Sequence, residues 1–228
     1  MPGRCAASAL AYHRLMPCVF LTGATGFMGR RLAAELLGRG HTVRALVRPR
    51  SEGRAAAGAE EIRGDPLEPG SWAARLAGCD VLVHLVGVSH PNPSKAAQFR
   101  GVDLASAKAS LAAAQQAGIR HFVYVSVAHP APVMREYIAA RTEAEEAIRA
   151  SGLNATILRP WYVLGPGRRW PVLLLPMYWL FGLLPKTRES ARRLGLVTIG
   201  QMVRALAAAV EQPAAGVRIL EVPQIRSA

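Results

Sequence analysis

Apolar residues along this chain fall into short, nearly continuous runs separated by stretches with helical spacing. The runs cover residues 19–21, 41–47, 60–65, 80–87, 119–126 and 155–160. A continuous apolar run, unlike an alternating one, marks a strand covered on both faces. Between the runs, residues 30–37, 71–76, 98–117 and 136–150 have helix-forming composition, and Gly38, Gly118 and Gly152 stop three of these segments. Strands alternating with helices predict right-handed crossovers and an α/β fold with a doubly wound parallel sheet, whose ligands bind at the carboxyl ends of the strands. Farther along, 196–210 predicts a strand and then a helix, and 218–222 a last short strand.

The first strand leads into Thr22-Gly23-Ala24-Thr25-Gly26-Phe27-Met28-Gly29. Gly23 allows the tight turn, Gly26 a close approach of the backbone to phosphates, and Gly29 close packing of the helix on the strand. Unpaired N–H groups at the start of that helix face the anion. On these residues the chain resembles the extended and atypical short-chain dehydrogenase/reductases, in the NmrA-like and NAD-dependent epimerase/dehydratase branch. That branch also includes the nucleotide-binding accessory subunit of respiratory complex I. The resemblance implies a Rossmann domain over 16–160, with 161–228 as a small helical lid and the closing strand and helix of the same domain. Residues 1–15 are expected to be a disordered extension, with Met16 as an alternative start.

The resemblance also places the cofactor. Thr25, Phe27 and Met28 join the three glycines at the phosphates, Asp65 holds the adenine, and Leu85-Val86-Gly87 line the adenosine side. From the residues alone, Asp65 before Pro66 is equally a turn aspartate. The second strand ends in Arg48, with no acid for a ribose hydroxyl. Arg48, assisted by Arg50 or Arg44, therefore favours NADP(H), with NAD(H) as the alternative. His84 reads as a satisfied strand histidine.

Short-chain reductases carry a Tyr four residues before a Lys on one helix face, with a Ser or Thr on the preceding strand end. The matching segment is Tyr137-Ile-Ala-Ala-Arg141. Tyr137 is retained and Arg stands where the family has Lys, exchanging a compact ammonium for a planar fork. Ser126 falls one residue before the usual hydroxyl, and Val127 falls on it. The catalytic candidates are therefore Tyr137, Arg141 and Ser126. The plain alternatives are a Tyr137 that only packs and a surface Arg141 paired with Glu145.

The 228 residues suffice for one core, and 51% hydrophobic with 19% charged residues indicates a globular protein. A net charge of +13, almost all of it Arg spread along the chain, fits a solvated basic surface better than nucleic-acid recognition. Cys5, Cys18 and Cys79 lie far apart without a Cys-x-x-Cys, which suggests a reducing compartment and no metal site. Residues 170–185 are apolar but broken by prolines, too short to span a bilayer. They read as a lid over a hydrophobic substrate, with Trp161 and Tyr162 at the nicotinamide end. Flanked by Arg168, Arg169, Lys186, Arg188, Arg192 and Arg193, they also suit a membrane interface. A cytoplasmic protein is expected, peripheral to the inner membrane face in the second case. The 68 residues after Pro160 leave little room for a sugar-nucleotide domain, which favours a small lipophilic carbonyl or quinone-like substrate for an oxidoreductase. The alternatives are a non-catalytic redox sensor or membrane-associated accessory subunit, and an epimerase/dehydratase.

Overall fold

The computed structural model describes residues 16–88, 91–131, 134–167 and 193–228. The 1–15 extension and the 170–185 segment with most of its flanking cations lie outside them.

The six apolar runs become strands of one sheet: β1 (Cys18–Thr22), β2 (Thr42–Val47), β3 (Glu60–Arg63), β4 (Val81–His84), β5 (His121–Val125) and β6 (Ala155–Leu158). A seventh, β9 (Val217–Leu220), completes the order β3-β2-β1-β4-β5-β6-β9, with every pair parallel. The order switches between β1 and β4. Chain leaving those two strands therefore diverges, and a crevice opens above their carboxyl ends.

Both faces of the sheet are covered, as continuous apolar runs require. Val19 and Leu21 pack with Leu32 and Leu36 of α1 (Gly29–Gly38) and with Met202 and Leu206 of α4 (Ile199–Glu211). Phe20, between them in sequence, points to the other face and stacks on Trp72 at 5.4 Å. That second layer includes Leu111 of α2 (Ala105–Gln116) and Ile148 of α3 (Arg135–Ala150).

Several elements depart from the sequence expectation. The 98–117 helix begins at Ala96 and passes through wider π-helical turns at Phe99–Leu104 before α2. The 71–76 helix is two short 3-10 turns, Pro69–Ser71 and Ala73–Leu76. Tyr162–Leu164, expected as lid, forms β7 and pairs in parallel with β8 (Leu196–Thr198) as a separate two-stranded sheet. The last strand stops at Leu220 because Pro223 in the first turn starts α5 (Val222–Ser227).

Cys18 and Cys79, 61 residues apart in sequence, are neighbours in space, with sulfurs 2.7 Å apart. Parallel pairing of β1 with β4 joins these distant segments of the sequence.

Gln201 stands where the resembling family has Asp, and the structure gives it work. The Gln201 N–H donates to the Thr198 hydroxyl at 3.2 Å, and the Thr198 N–H donates to Gln201 Oε1 at 2.9 Å. This capping box satisfies the start of α4. Thr198→Ala is expected to destabilise the protein by about 1 kcal/mol in urea denaturation. Nucleotide affinity should not change, because α4 starts outside the crevice.

Candidate nucleotide and substrate site

The crevice is walled first by the glycine turn. Gly23 has φ +72°, and a Cβ there would stand 2.8 Å from the Leu85 carbonyl carbon. A Cβ on Gly29 would stand 2.2 Å from the Gly23 carbonyl oxygen. The turn therefore closes onto the tail of β4, and α1 closes onto the turn, in contacts that only glycine permits. No side chain caps α1, and its first turn has no acid. An uncapped helix start behind a glycine cradle suits a pyrophosphate.

The opposite wall comes from β5, its tail and α3. The Ser126 N–H donates to the Leu158 carbonyl at 2.8 Å and the Ala128 N–H to the Pro160 carbonyl at 3.0 Å. These bonds carry the β5–β6 pairing past the strand ends and hold both Ser126 and Val127 in the cavity wall. Tyr137, Arg141 and Glu145 succeed one another at intervals of four on α3, which puts all three on its inward face. The Tyr137 ring packs on Phe99 at 5.1 Å.

The cavity has a volume of about 470 Å³. Of the expected cofactor residues, Gly23, Gly26, Phe27, Met28, Gly29, Leu85 and Gly87 line it, and so do the catalytic candidates Tyr137, Arg141 and Ser126. Trp161 and Tyr162 are also in the wall, as expected. Val88, Pro91, Val125, Met134, Pro160 and Val163, not anticipated, make most of the remaining surface apolar.

Thr25, Val86, Arg48 and Asp65 stand outside this wall. The Asp65 Oδ1 accepts the Leu67 N–H at 2.9 Å, which is the turn role that the residues alone also allowed. Arg48 is exposed at the carboxyl end of β2, and its guanidinium has no hydrogen bond or ion pair among the described residues. Arg44 is a correction. Its side chain donates to Glu60 and to the carbonyls of Arg75 and Ala77, which ties it to structure away from a phosphate.

Arg141 does not follow the plain alternative, being neither on the surface nor paired with Glu145. It is 5% exposed, with Nη2 2.5 Å from Asp103 Oδ1 and Nη1 donating to the Val125 carbonyl at 2.8 Å and to the Tyr124 hydroxyl at 3.3 Å. Burial acts against the guanidinium charge, but Tyr124, Tyr137 and Asp103 hold it above its ordinary pKa. Burial pushes the Asp103 carboxyl up, while Arg141 and the Val88 N–H pull it back. Sequence reasoning missed Asp103. The signal was an acid inside an otherwise apolar, alanine-rich segment, which needs a cation to be buried. Gly87 lies against the pair, since a Cβ there would meet Arg141 Nη2 at 2.4 Å and Asp103 Oδ1 at 2.7 Å.

Glu145 pairs instead with Arg159, Arg149 and His129. Burial works against its carboxylate, but Arg159, Ser126 and His129 together hold it below the usual carboxylate range. Ser126 is 3% exposed, and its Oγ is buried beside the Glu145 carboxylate. His84 is fully buried, with Nδ1 2.9 Å from Thr22 Oγ1 and 3.0 Å from Ser110 Oγ. Burial, and then the Arg141 charge, press its pKa down to about 3, so it is neutral and structural.

Fold and site together define a nicotinamide-dinucleotide-binding protein. The chain matches the NAD(P)H-binding family over residues 23–169. It belongs to that family. It is 29% identical over 210 residues to the ceramide reductase of Caulobacter vibrioides, covering 91% of this chain and 65% of that protein. It is 30% identical over 168 residues to a 4-hydroxy-2-methyl-3-oxo-4-farnesyl-3,4-dihydroquinoline-1-oxide ketoreductase of Stigmatella aurantiaca, covering 64% of this chain and 50% of that one. The chain thus spans between half and two thirds of the length of these relatives. Among solved structures, a short-chain dehydrogenase/reductase superfamily protein from Agrobacterium tumefaciens with bound NAD superposes with a TM-score of 0.66. It is 20% identical, and the match covers 90% of this chain and 77% of that one. No helix among the described residues is long and apolar enough to cross a membrane.

Removing Asp103 leaves a buried guanidinium without its counter-charge. Asp103→Ala is expected to cost about 3–5 kcal/mol in denaturant unfolding. The histidines set an acid limit as well. Burial holds His84 at about 3 and His121 at about 4, both below the roughly 6.5 of an unfolded histidine. The unfolded chain therefore takes up protons that the folded one refuses. The stabilisation is complete above about pH 6.5 and is lost as pH falls through the window toward 4. Over the middle of that window each histidine adds a slope of about 1 kcal/mol per pH unit, which urea titrations at successive pH values would read.

Proposed function

We propose that this protein is an NADP(H)-dependent reductase acting on a small lipophilic carbonyl or quinone-like compound. The observation that carries this reading is that Tyr137 and Ser126 line the same largely apolar cavity as the glycine turn.

The residues present fit the cofactor. The turn from Gly23 to Gly29 and the uncapped start of α1 would hold the pyrophosphate. Leu85 and Gly87 would flank the adenosine side, and Arg48, exposed at the end of β2, would meet a 2′-phosphate. When bound, the reduced dinucleotide supplies hydride to a carbonyl carbon. The Tyr137 hydroxyl supplies the proton to the carbonyl oxygen, while Ser126 stands in the same wall with its Oγ buried beside Glu145. Arg141 is a positioning residue, because its Nη atoms are engaged by Asp103, Val125 and Tyr124. Val88, Val127, Met134, Pro160 and Trp161 give the substrate a dry, apolar surround. The names of two relatives, a ceramide reductase and a ketoreductase for a farnesyl-bearing quinoline, support a lipophilic substrate.

A second reading, a nucleotide-binding redox sensor without turnover, draws on the same engagement of Arg141, which leaves the Lys function of the resembling family without an occupant. Consumption of NADPH with a panel of long-chain ketones, aldehydes and quinones separates the two. The reductase reading expects turnover that falls at least about a hundredfold in Tyr137→Phe while NADPH still binds. NADPH binding without turnover on any member of the panel would favour the sensor. Arg48→Ala should weaken NADPH by about tenfold or more and leave NADH unchanged, as isothermal titration would measure.

A further inference from the structure

The amino-terminal edge of the sheet, opposite the cavity, carries a pair of thiols that the proposed reaction does not use. Cys18 opens β1, and Cys79 lies just ahead of β4. The Asp80 N–H donates to the Cys18 carbonyl at 2.9 Å, and the Cys18 N–H donates to Asp80 Oδ2 at 2.9 Å. These two bonds clamp the strand ends and set the Cys18 and Cys79 sulfurs 2.7 Å apart. That separation exceeds the roughly 2.05 Å of a disulfide bond, so the two free thiols are in contact and not covalently bonded.

Arg44 completes the arrangement. Its Nη1 lies 3.6 Å from the Cys79 sulfur, and its bonds to Glu60 and to the Arg75 and Ala77 carbonyls hold it there. Cys79 is buried and Cys18 is partly exposed. The hydrogen bond from Cys79, and then the Arg44 charge, hold the Cys18 thiol below its ordinary pKa. Supplying that bond, together with burial, pushes the Cys79 thiol up. The more accessible sulfur is thus also the better nucleophile.

We propose that Cys18 and Cys79 form a modification site, a dithiol that an oxidant of the glutathione-disulfide class closes into an intramolecular disulfide joining β1 to β4. The Cys18 thiolate attacks one sulfur of oxidised glutathione, breaking its S–S bond, forming a mixed disulfide and releasing one glutathione thiolate. Cys79 then loses its proton to solvent, and its sulfur attacks that of Cys18, releasing the second glutathione. Two protein thiols give up two electrons, and one glutathione disulfide becomes two thiols. The new bond closes a loop between residues 61 apart in sequence and restricts the unfolded chain. Because it ties β1 and β4 at the ends remote from the glycine turn, its effect falls on stability and not on the cavity.

The full chain, incubated with oxidised glutathione, quenched with acid and digested without reduction, gives the test by peptide mass spectrometry. The expected product is a Cys18–Cys79 cross-linked peptide lacking two hydrogens. It should be accompanied by a rise in Tm of roughly 5–10 °C that dithiothreitol reverses. In Cys79→Ser the reaction should stop with one glutathionyl group on Cys18. The mapping on the unaltered chain stands whether or not that variant folds. Thiols that stay free in excess oxidant, a mixed disulfide that persists on Cys18 of the unaltered chain, or cross-links through Cys5 or between molecules would overturn the proposal. A Cys18–Cys79 bond that forms without raising Tm would overturn its stabilising role.

Discussion

The buried pair of Arg141 with Asp103 joins the parts of the cavity floor. Through it α3, the approach to α2, the end of β5 and the tail of β4 are held to one another: Arg141 bonds Asp103 and the Val125 carbonyl, and Asp103 accepts the Val88 N–H. A guanidinium at 5% exposure tolerates little loss of partners, because its desolvation is offset only while each contact stays in place. The pair therefore fixes where Tyr137, one helical turn earlier on the same face, meets the cavity. Gly87 is constrained in turn, since any side chain there would enter the space of the pair.

A similar economy of space governs the other wall. Gly23 and Gly29 let the turn, the β4 tail and α1 approach more closely than a Cβ allows. The loop is thus shaped by packing as much as by a ligand. The uncapped α1 start then faces a cavity of about 470 Å³, within the range of pockets that enclose cofactors and small molecules. The two walls differ in chemistry: main-chain amides and a helix dipole on one side, and a phenol, a hydroxyl and apolar side chains on the other. That division matches a polar dinucleotide meeting a lipophilic substrate.

The strands were legible because both-face burial writes itself as unbroken apolar runs; the 119–126 run contains β5, which keeps residues 121–125 of it. The glycine turn was legible because each glycine answers a local steric demand, and Tyr137 because a spacing of four survives on a helix. Features that depend on tertiary proximity were not legible. Asp103 lies 38 residues from Arg141, and Cys79 lies 61 from Cys18; no local pattern announces either pairing. The strand β7 was missed because its three residues carry little periodicity and gain their place only by pairing with β8. Gln201 is a reciprocal cap, a role that the Thr three residues earlier signals.

The central claim is that this site works with an arginine whose role is to hold the floor in place, with the Tyr137 phenol left to the proposed chemistry. Replacing Arg141 with Lys tests it most directly, by NADPH titration and thermal unfolding on the same preparation. An ammonium cannot reproduce the fork that reaches Asp103, Val125 and Tyr124 together. The account therefore predicts a lower Tm and weaker NADPH binding. An Arg141→Lys protein of unchanged stability that binds NADPH more tightly would contradict it, and would make Arg141 a worn substitute for a cofactor-binding lysine.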